Sequence, residues 1–93
     1  MITININNDD AIYDLFVTVT DQNTNPAQVV INSQRINCGS NPVPIQVQED
    51  GNGNCNIAWL ALHLDANGQP DKQKTGAAQT SANQQVNVDV FGV

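Results

Sequence analysis

Hydrophobic and polar residues alternate along much of the chain, which is the pattern of β-strands with one buried face. Residues 2–6 alternate strictly, with isoleucine at every even position, and they end at a turn-forming cluster of Asn and Asp. Residues 12–20 continue the period of two, with apolar residues at most odd positions. Both segments are predicted strands, and no segment shows the period of an amphipathic helix.

The middle of the chain contains further apolar runs. Residues 27–31 and 34–37 predict either two strands joined by a turn or one longer strand. Residues 43–48 alternate again, but Pro44 has no amide hydrogen for a sheet ladder, so this strand is expected at an edge. Residues 56–64 are apolar at both odd and even positions, which predicts a central strand covered on both faces.

The last third of the chain is mostly polar. Residues 65–84 are too long for a typical connection, which leaves a long loop, a weak strand near residues 72–75 or a functional excursion. Residues 85–91 alternate and predict a final strand. Six or seven short strands separated by Asn, Gly, Asp and Pro turns favour an all-β fold. We predict a small antiparallel β-sandwich, immunoglobulin-like in size, that forms a single domain over residues 1–93.

Composition supports strands and excludes several classes of partner. Val, Ile and Thr together number 24 against 4 Leu, and branched side chains suit a pleated sheet. The chain carries a net charge of −6, and its basic residues are Arg35, Lys72 and Lys74. Three scattered cations cannot neutralise a phosphate backbone, so nucleic acid and anionic membrane surfaces are not expected as partners.

The N-terminal sequence and the longest apolar runs bear on location. The first ten residues lack the basic and apolar regions of a signal peptide, and no apolar run has the length of a membrane span. We therefore predict no membrane insertion, and either a cytoplasmic location or export without a cleaved signal. The 14 asparagines include no N-x-S/T glycosylation sequence, which favours a bacterial type of protein.

The two cysteines and the single histidine are the candidates for nucleophilic chemistry. Cys38 and Cys55 flank the predicted strand at 43–48, and six residues at about 3.3 Å each would separate them by roughly 20 Å. Bridged Cα atoms lie within about 7 Å, so both thiols are expected to be free. Cys38, His63 and Asp65 meet at one end of the predicted topology and could outline a catalytic triad. A structural histidine at the rim of the core is the simpler interpretation.

Acidic turns raise the alternative of a calcium site. If every connection reverses the chain, with a turn at Asn32, then Asp9, Asp10, Glu49 and Asp50 fall at one end of the fold. Carboxylate and amide oxygens are the ligands that Ca²⁺ prefers. No contiguous calcium-binding loop supports this site, and solvated turns without a metal are the competing interpretation. No other cofactor is predicted.

Two aromatic residues lie on the polar side of their strands. Phe16 stands between Asp14 and Thr18, and Phe91 follows Asp89 with the same alternation. Each is expected to face outward, at a binding surface or a contact between subunits of a homo-oligomer. The alternative is that the long polar segment 65–84 covers this face.

The sequence leaves three classes of function open. The absence of catalytic, phosphate-binding and dinucleotide motifs favours a non-enzymatic binding or interaction module with a protein or glycan partner. A carbohydrate-binding, lectin-like protein assisted by calcium is the first alternative, because amides and carboxylates hydrogen-bond sugar hydroxyls. A small enzyme that uses Cys38 and His63 is the second.

Overall fold

The computed structural model describes residues 1–10 and 12–88, and this part of the chain is all-β. Phe91 and the end of the predicted strand 85–91 lie outside the described residues. Seven strands follow in chain order: β1 (Ile2–Asn7), β2 (Leu15–Asp21), β3 (Gln28–Ile36), β4 (Val43–Val47), β5 (Asn54–Leu64), β6 (Pro70–Ser81) and β7 (Gln85–Asn87).

The strands form two sheets. The smaller sheet has the order β4-β1-β7 and the larger has the order β3-β2-β5-β6. Pro44 lies on the edge strand β4, as predicted from its missing amide hydrogen. The segment between β4 and β5 links the two sheets, so these consecutive strands do not pair with each other.

One strand pair departs from the antiparallel arrangement that the sequence predicted. β1 and β4 are antiparallel, but β1 and β7 run parallel. Backbone hydrogen bonds from Asn83 to Thr3 (2.7 Å) and from Asn5 to Gln84 (2.9 Å) carry the chain from β6 onto the free side of β1. Alternation specifies which side chains are buried, not the direction of the neighbouring strand, so this pair could not be predicted.

Both sheets contribute to one hydrophobic core. The buried side chains alternate along their strands, as a half-buried sheet requires. From the smaller sheet they include Ile4, Ile6, Ile45, Val47 and Val86, and from the larger sheet Leu15, Val17, Val19, Ile57 and Ala61.

β3 is one continuous strand, so the predicted alternative with a turn at Asn32 is wrong. Its pairing with β2 is irregular instead, with register shifts on both sides of Val19. Ser33 has a φ of 49° and its amide donates to the hydroxyl of Thr18 (3.0 Å). A bulge in the pairing thus accommodates the polar residues in the middle of β3, and the strand continues through them.

The polar segment 65–84 is neither a loop nor an excursion, because most of it forms β6. The weak strand expected near residues 72–75 is therefore confirmed, although it extends over twelve residues. β6 pairs with β5 through the backbone and buries few side chains, which explains why hydropathy did not reveal its length. β5 lies inside the larger sheet, as predicted, but its even positions from 54 to 62 are only half-buried.

Candidate functional site

Phe16 lies on the face of the larger sheet that points away from the shared core. On β2 the odd positions are buried and the even positions are half-buried, which places Phe16 outward as predicted. Its cross-strand partners are Leu62 on β5 and Arg35 on β3. A phenylalanine and a leucine that face each other across a strand pair form a compact apolar contact.

Neighbouring residues extend this contact into a patch across all four strands. The register aligns three rows of side chains on the same face, and we call these residues the outer patch. They are Arg35, Phe16, Leu62 and Gln73 in the first row, Thr18, Leu60 and Thr75 in the second, and Val29, Thr20, Ala58 and Ala77 in the third.

Residues 65–84 do not cover the outer patch. The alternative prediction, that residues 65–84 cover the face of Phe16, is wrong, because most of this segment forms β6 at the edge of the same sheet. Phe16, Leu60 and Leu62 are half-buried by their neighbours within the sheet, and Val29 is 53% exposed. Apolar side chains that line up on an exposed face are typical of interaction surfaces.

The charge on the outer patch is confined to Arg35. Its guanidinium group binds the carboxylate of Asp14 at 2.7 Å, and the other carboxylate oxygen accepts a hydrogen bond from the backbone N–H of Cys38 (3.0 Å). The hydrogen bonds from Arg35 and then from Cys38 lower the pKa of Asp14. The Arg35–Asp14 ion pair therefore lies at one end of the patch, and the charge of Arg35 is balanced there by Asp14.

His63 is buried at the end of β5, as the structural interpretation predicted. It is 4% exposed, and its Nδ1 lies 2.5 Å from a carboxylate oxygen of Asp71. The ring of Tyr13 packs against it with centroids 4.1 Å apart and a tilt of 60°. The hydrogen bond with His63 lowers the pKa of Asp71. The carboxylate beside the imidazole is thus Asp71 rather than the expected Asp65.

The side chains of Cys38 and Asp65 form hydrogen bonds with backbone groups. The thiol of Cys38 donates to the carbonyl of Ile12 (3.3 Å), and the carboxylate of Asp65 accepts from the amides of Asn67 and Gln69. Cys38 and Cys55 are both free thiols, as predicted. These contacts do not connect Cys38, His63 and Asp65 by hydrogen bonds in the way that a nucleophile, a base and an orienting acid are connected in a catalytic triad.

A pocket of about 290 Å³ opens at this end of the fold, lined in part by Tyr13, Asp14, Arg35 and Asp65. Its charged side chains bind one another or cap turns, as described above. The charged groups of the pocket are therefore already engaged within the protein, which leaves them poorly suited to fix a ligand in one orientation.

The four acidic residues proposed for calcium are not brought together. In the β1–β4 pair, Ile6 lies opposite Val43 and Ile2 lies opposite Val47. Asp9 and Asp10 follow the end of β1, and Glu49 and Asp50 follow the opposite end of β4. The two acidic turns therefore lie at opposite ends of the smaller sheet. The premise of the calcium site, a chain reversal at Asn32, is wrong.

Two of these carboxylates fix turns. One oxygen of Asp10 accepts from the amides of Ile12 and Tyr13, both at 2.9 Å. One oxygen of Asp50 accepts from the amides of Asn52 (2.8 Å) and Asn54 (3.3 Å), and the first of these bonds is the main reason that the pKa of Asp50 is lowered. Within residues 1–10 and 12–88, no group of three or more His, Cys, Asp or Glu side chains is arranged to hold a metal ion.

Sequence reasoning found Phe16 but missed Leu60 and Leu62 as its companions. The signal is the apolar run at both odd and even positions of residues 56–64, which predicts a strand covered on both faces. The same pattern arises when one face is buried and the other is an apolar surface, and only the sheet register distinguishes the two cases.

Comparisons with known proteins give no family for the chain, since no family model, curated protein or solved structure matches it. The described residues also include no helix that is long and apolar enough to span a bilayer. Function must therefore be inferred from the site itself.

Proposed function

We propose that the protein is a non-enzymatic interaction module, and that the outer patch binds the surface of another protein. In this proposal the two sheets form a small β-sandwich of immunoglobulin-like size, and the face of the larger sheet is its binding surface. The shared hydrophobic core and the seven short strands support the sandwich.

The pairing of Phe16 with Leu62 on the face of the larger sheet that points away from the core is the observation that carries the proposal. Leu60 pairs with Thr18 in the next row, so the apolar contact continues along the strands. Large side chains on an outer face contribute little to a core, and their burial against a partner would be favourable by about 25 cal/mol per Å² of apolar surface.

Charge indicates the chemistry of the partner. The chain carries a net charge of −6, but Arg35 is the charged member of the outer patch and is paired with Asp14. The outer patch contains no acidic side chain that could pair with a basic partner. Its one basic side chain, Arg35, is already paired with Asp14 and is less available to an acidic partner. We therefore expect a protein partner that presents an uncharged apolar surface, with affinity that depends weakly on salt.

The test compares binding by the wild-type chain with binding by Phe16→Thr and Leu62→Thr. Proteins captured from a bacterial lysate are purified, and direct binding is measured by titration calorimetry. Each substitution should weaken binding at least about tenfold, which corresponds to about 1.4 kcal/mol. Hydrogen exchange of the complex should show protection centred on the middle of β2 and β5.

Ile12→Thr is the matched control, because Ile12 is apolar and 57% exposed but lies in the pocket rather than in the outer patch. Its binding should equal that of the wild type. Capture that both patch variants retain would refute the proposal, as would the recovery of no direct binder. A glycan array on which only the wild-type chain binds would support the lectin-like alternative instead.

A further inference from the structure

β6 is the longest edge strand of the fold. It pairs with β5 on one side over its whole length, and the described residues provide no strand on its other side. From Lys72 to Ser81 the register with β5 is continuous, without a bulge. Alternate amide and carbonyl groups along this edge therefore point outward in the geometry that a further strand would need.

The other three edges carry features that oppose pairing. β3 is bulged and contains Ser33 in a left-handed conformation, β4 has five residues and includes Pro44, and β7 has three residues. Bulges, prolines and short length are the usual protections of an exposed edge. β6 has a proline and a register shift at its start and lysines at positions 72 and 74, which are also protective, but from Thr75 to Ser81 it has none of these features.

Charge is distributed unevenly along β6. Lys72 and Lys74, two of the three basic residues of the chain, lie in its first half together with Asp71, whose carboxylate is bound to His63. Residues 75–81 carry no charge, and the carboxylate of Asp50 lies near the side chain of Gln79 at the far end of the strand. The edge therefore runs from a cationic half, through a neutral stretch, to an acidic end.

We propose that β6 pairs antiparallel with β6 of a second copy of this chain, so that the two larger sheets join into one eight-stranded sheet. The two-fold arrangement places the cationic half of each strand beside the acidic end of the other. A parallel pairing would set lysine against lysine, which is unfavourable. The basic residues also reduce the repulsion between two chains of net charge −6 at this edge.

Trp59 helps to keep the edge regular. Its indole ring lies against Gly76 in the middle of β6, where a methyl group would overlap it. The contact holds the neutral stretch against β5 and leaves its outer edge available. The dimer uses the backbone edge of β6, whereas the centre of the outer patch, Phe16 and Leu62, lies on β2 and β5 away from that edge. Different variants therefore test the two proposals.

Sedimentation analysis of the purified full chain tests the dimer. A monomer–dimer equilibrium should be measurable up to about 1 mM protein. Lys72→Glu combined with Lys74→Glu should weaken the dimer at least about tenfold, because each copy then presents like charges to the acidic end of the other. Lys72→Arg with Lys74→Arg keeps the charge and is the matched control. A chain that remains monomeric over this range would overturn the proposal, as would a dimer that the charge reversal does not weaken.

Disulfide trapping gives the direction of pairing. In a Cys38→Ser background, cysteine is introduced singly at Thr75, Ala77 or Gln79, because the residue at a two-fold axis faces its own copy at a bridgeable distance. Mild oxidation should cross-link one of the three efficiently. Asn32→Cys on the protected edge β3 is the control and should not cross-link. Equal cross-linking at Asn32 would contradict edge pairing through β6, and Leu62→Thr should leave the dimer intact.

Discussion

The indole ring of Trp59 lies on Gly76, its cross-strand partner on β6. Glycine within a strand is ordinarily unfavourable, because it adds no side-chain contact and loses much conformational freedom. Here its missing side chain makes room for a large ring that also packs against the hydrophobic core. The contact joins the polar edge strand to the interior of the fold.

Gly76→Ala should therefore destabilise the protein, because the added methyl group displaces the Trp59 ring. We expect a loss of about 1–3 kcal/mol in the free energy of unfolding, measured by urea denaturation. Thr75→Ser, one residue away on the exposed face, is the control and should change stability little. A gain in stability, as is usual when alanine replaces glycine in a strand, would show that the ring is not held in this position.

Asp21 joins the two sheets at the end opposite His63. It is 2% exposed, and its two carboxylate oxygens accept from the backbone amides of Asn23 (3.0 Å) and Gln48 (2.8 Å). Asp21→Ala should reduce the free energy of unfolding by about 1–3 kcal/mol, since both amides lose their acceptor. The measurement is again urea denaturation.

Asp21→Asn tests whether the loss comes from hydrogen bonding. The amide keeps one acceptor oxygen, so its stability should fall between those of the wild type and the alanine variant. If the alanine variant unfolds at the same urea concentration as the wild type, the carboxylate does not link the sheets.

The strands that could be predicted from the sequence are those that alternate, such as β1 and β4, because burial of one face leaves a period of two. β6 could not be delimited, because its side chains are exposed or at most half-buried, and the backbone hydrogen bonds that hold this edge strand leave no hydropathy signal. Asp21 illustrates a second limit. It begins a run of turn-forming residues, and its residue type does not reveal that its carboxylate points inward.

The site was predictable to a similar extent. The alternation of β2 placed Phe16 outward, but Leu62 became part of the same surface only through the register of β2 with β5. The predicted calcium site depended on the number of chain reversals between Asp10 and Glu49. Because β3 is one strand, the chain reverses once less than the prediction assumed, and the two acidic turns lie at opposite ends of the smaller sheet.

Asp14 should make stability sensitive to acid. Hydrogen bonds from Arg35 and Cys38 hold the pKa of its carboxyl below the ordinary value of 3.8 in the folded state. A lowered pKa contributes stability that is present above the unfolded value and is lost as the pH falls through the folded value. Asp14→Asn should therefore flatten the decrease in melting temperature between about pH 5 and about pH 2.

Arg35→Gln provides the second arm of this experiment, since it keeps Asp14 and removes the main cause of the lowered pKa. It should flatten the same part of the curve. If neither variant alters the dependence of the melting temperature on pH, the ion pair does not couple proton binding to folding.

The two thiols should differ sharply in reactivity. Cys55 is fully buried, and burial raises the pKa of its thiol, so little reactive thiolate is present. Mass spectrometry after treatment with iodoacetamide should show one adduct, at Cys38, in the native protein and two adducts in denaturant. Cys38→Ser should show none under native conditions. Labelling of Cys55 as fast as Cys38 would indicate frequent opening of the core near the start of β5.

Thermal melts in excess calcium and in EDTA should coincide. Asp10 and Asp50 each direct an oxygen at backbone amides, and their turns lie at opposite ends of the smaller sheet. An ion at a hundred times its dissociation constant would add about 2.7 kcal/mol of stability. For a domain of this size, each kcal/mol raises the melting temperature by roughly 4–8 °C, so even a weak site would be visible. A rise of that size would place a cation at one acidic turn alone, and Asp10→Asn and Asp50→Asn would then identify which turn holds it.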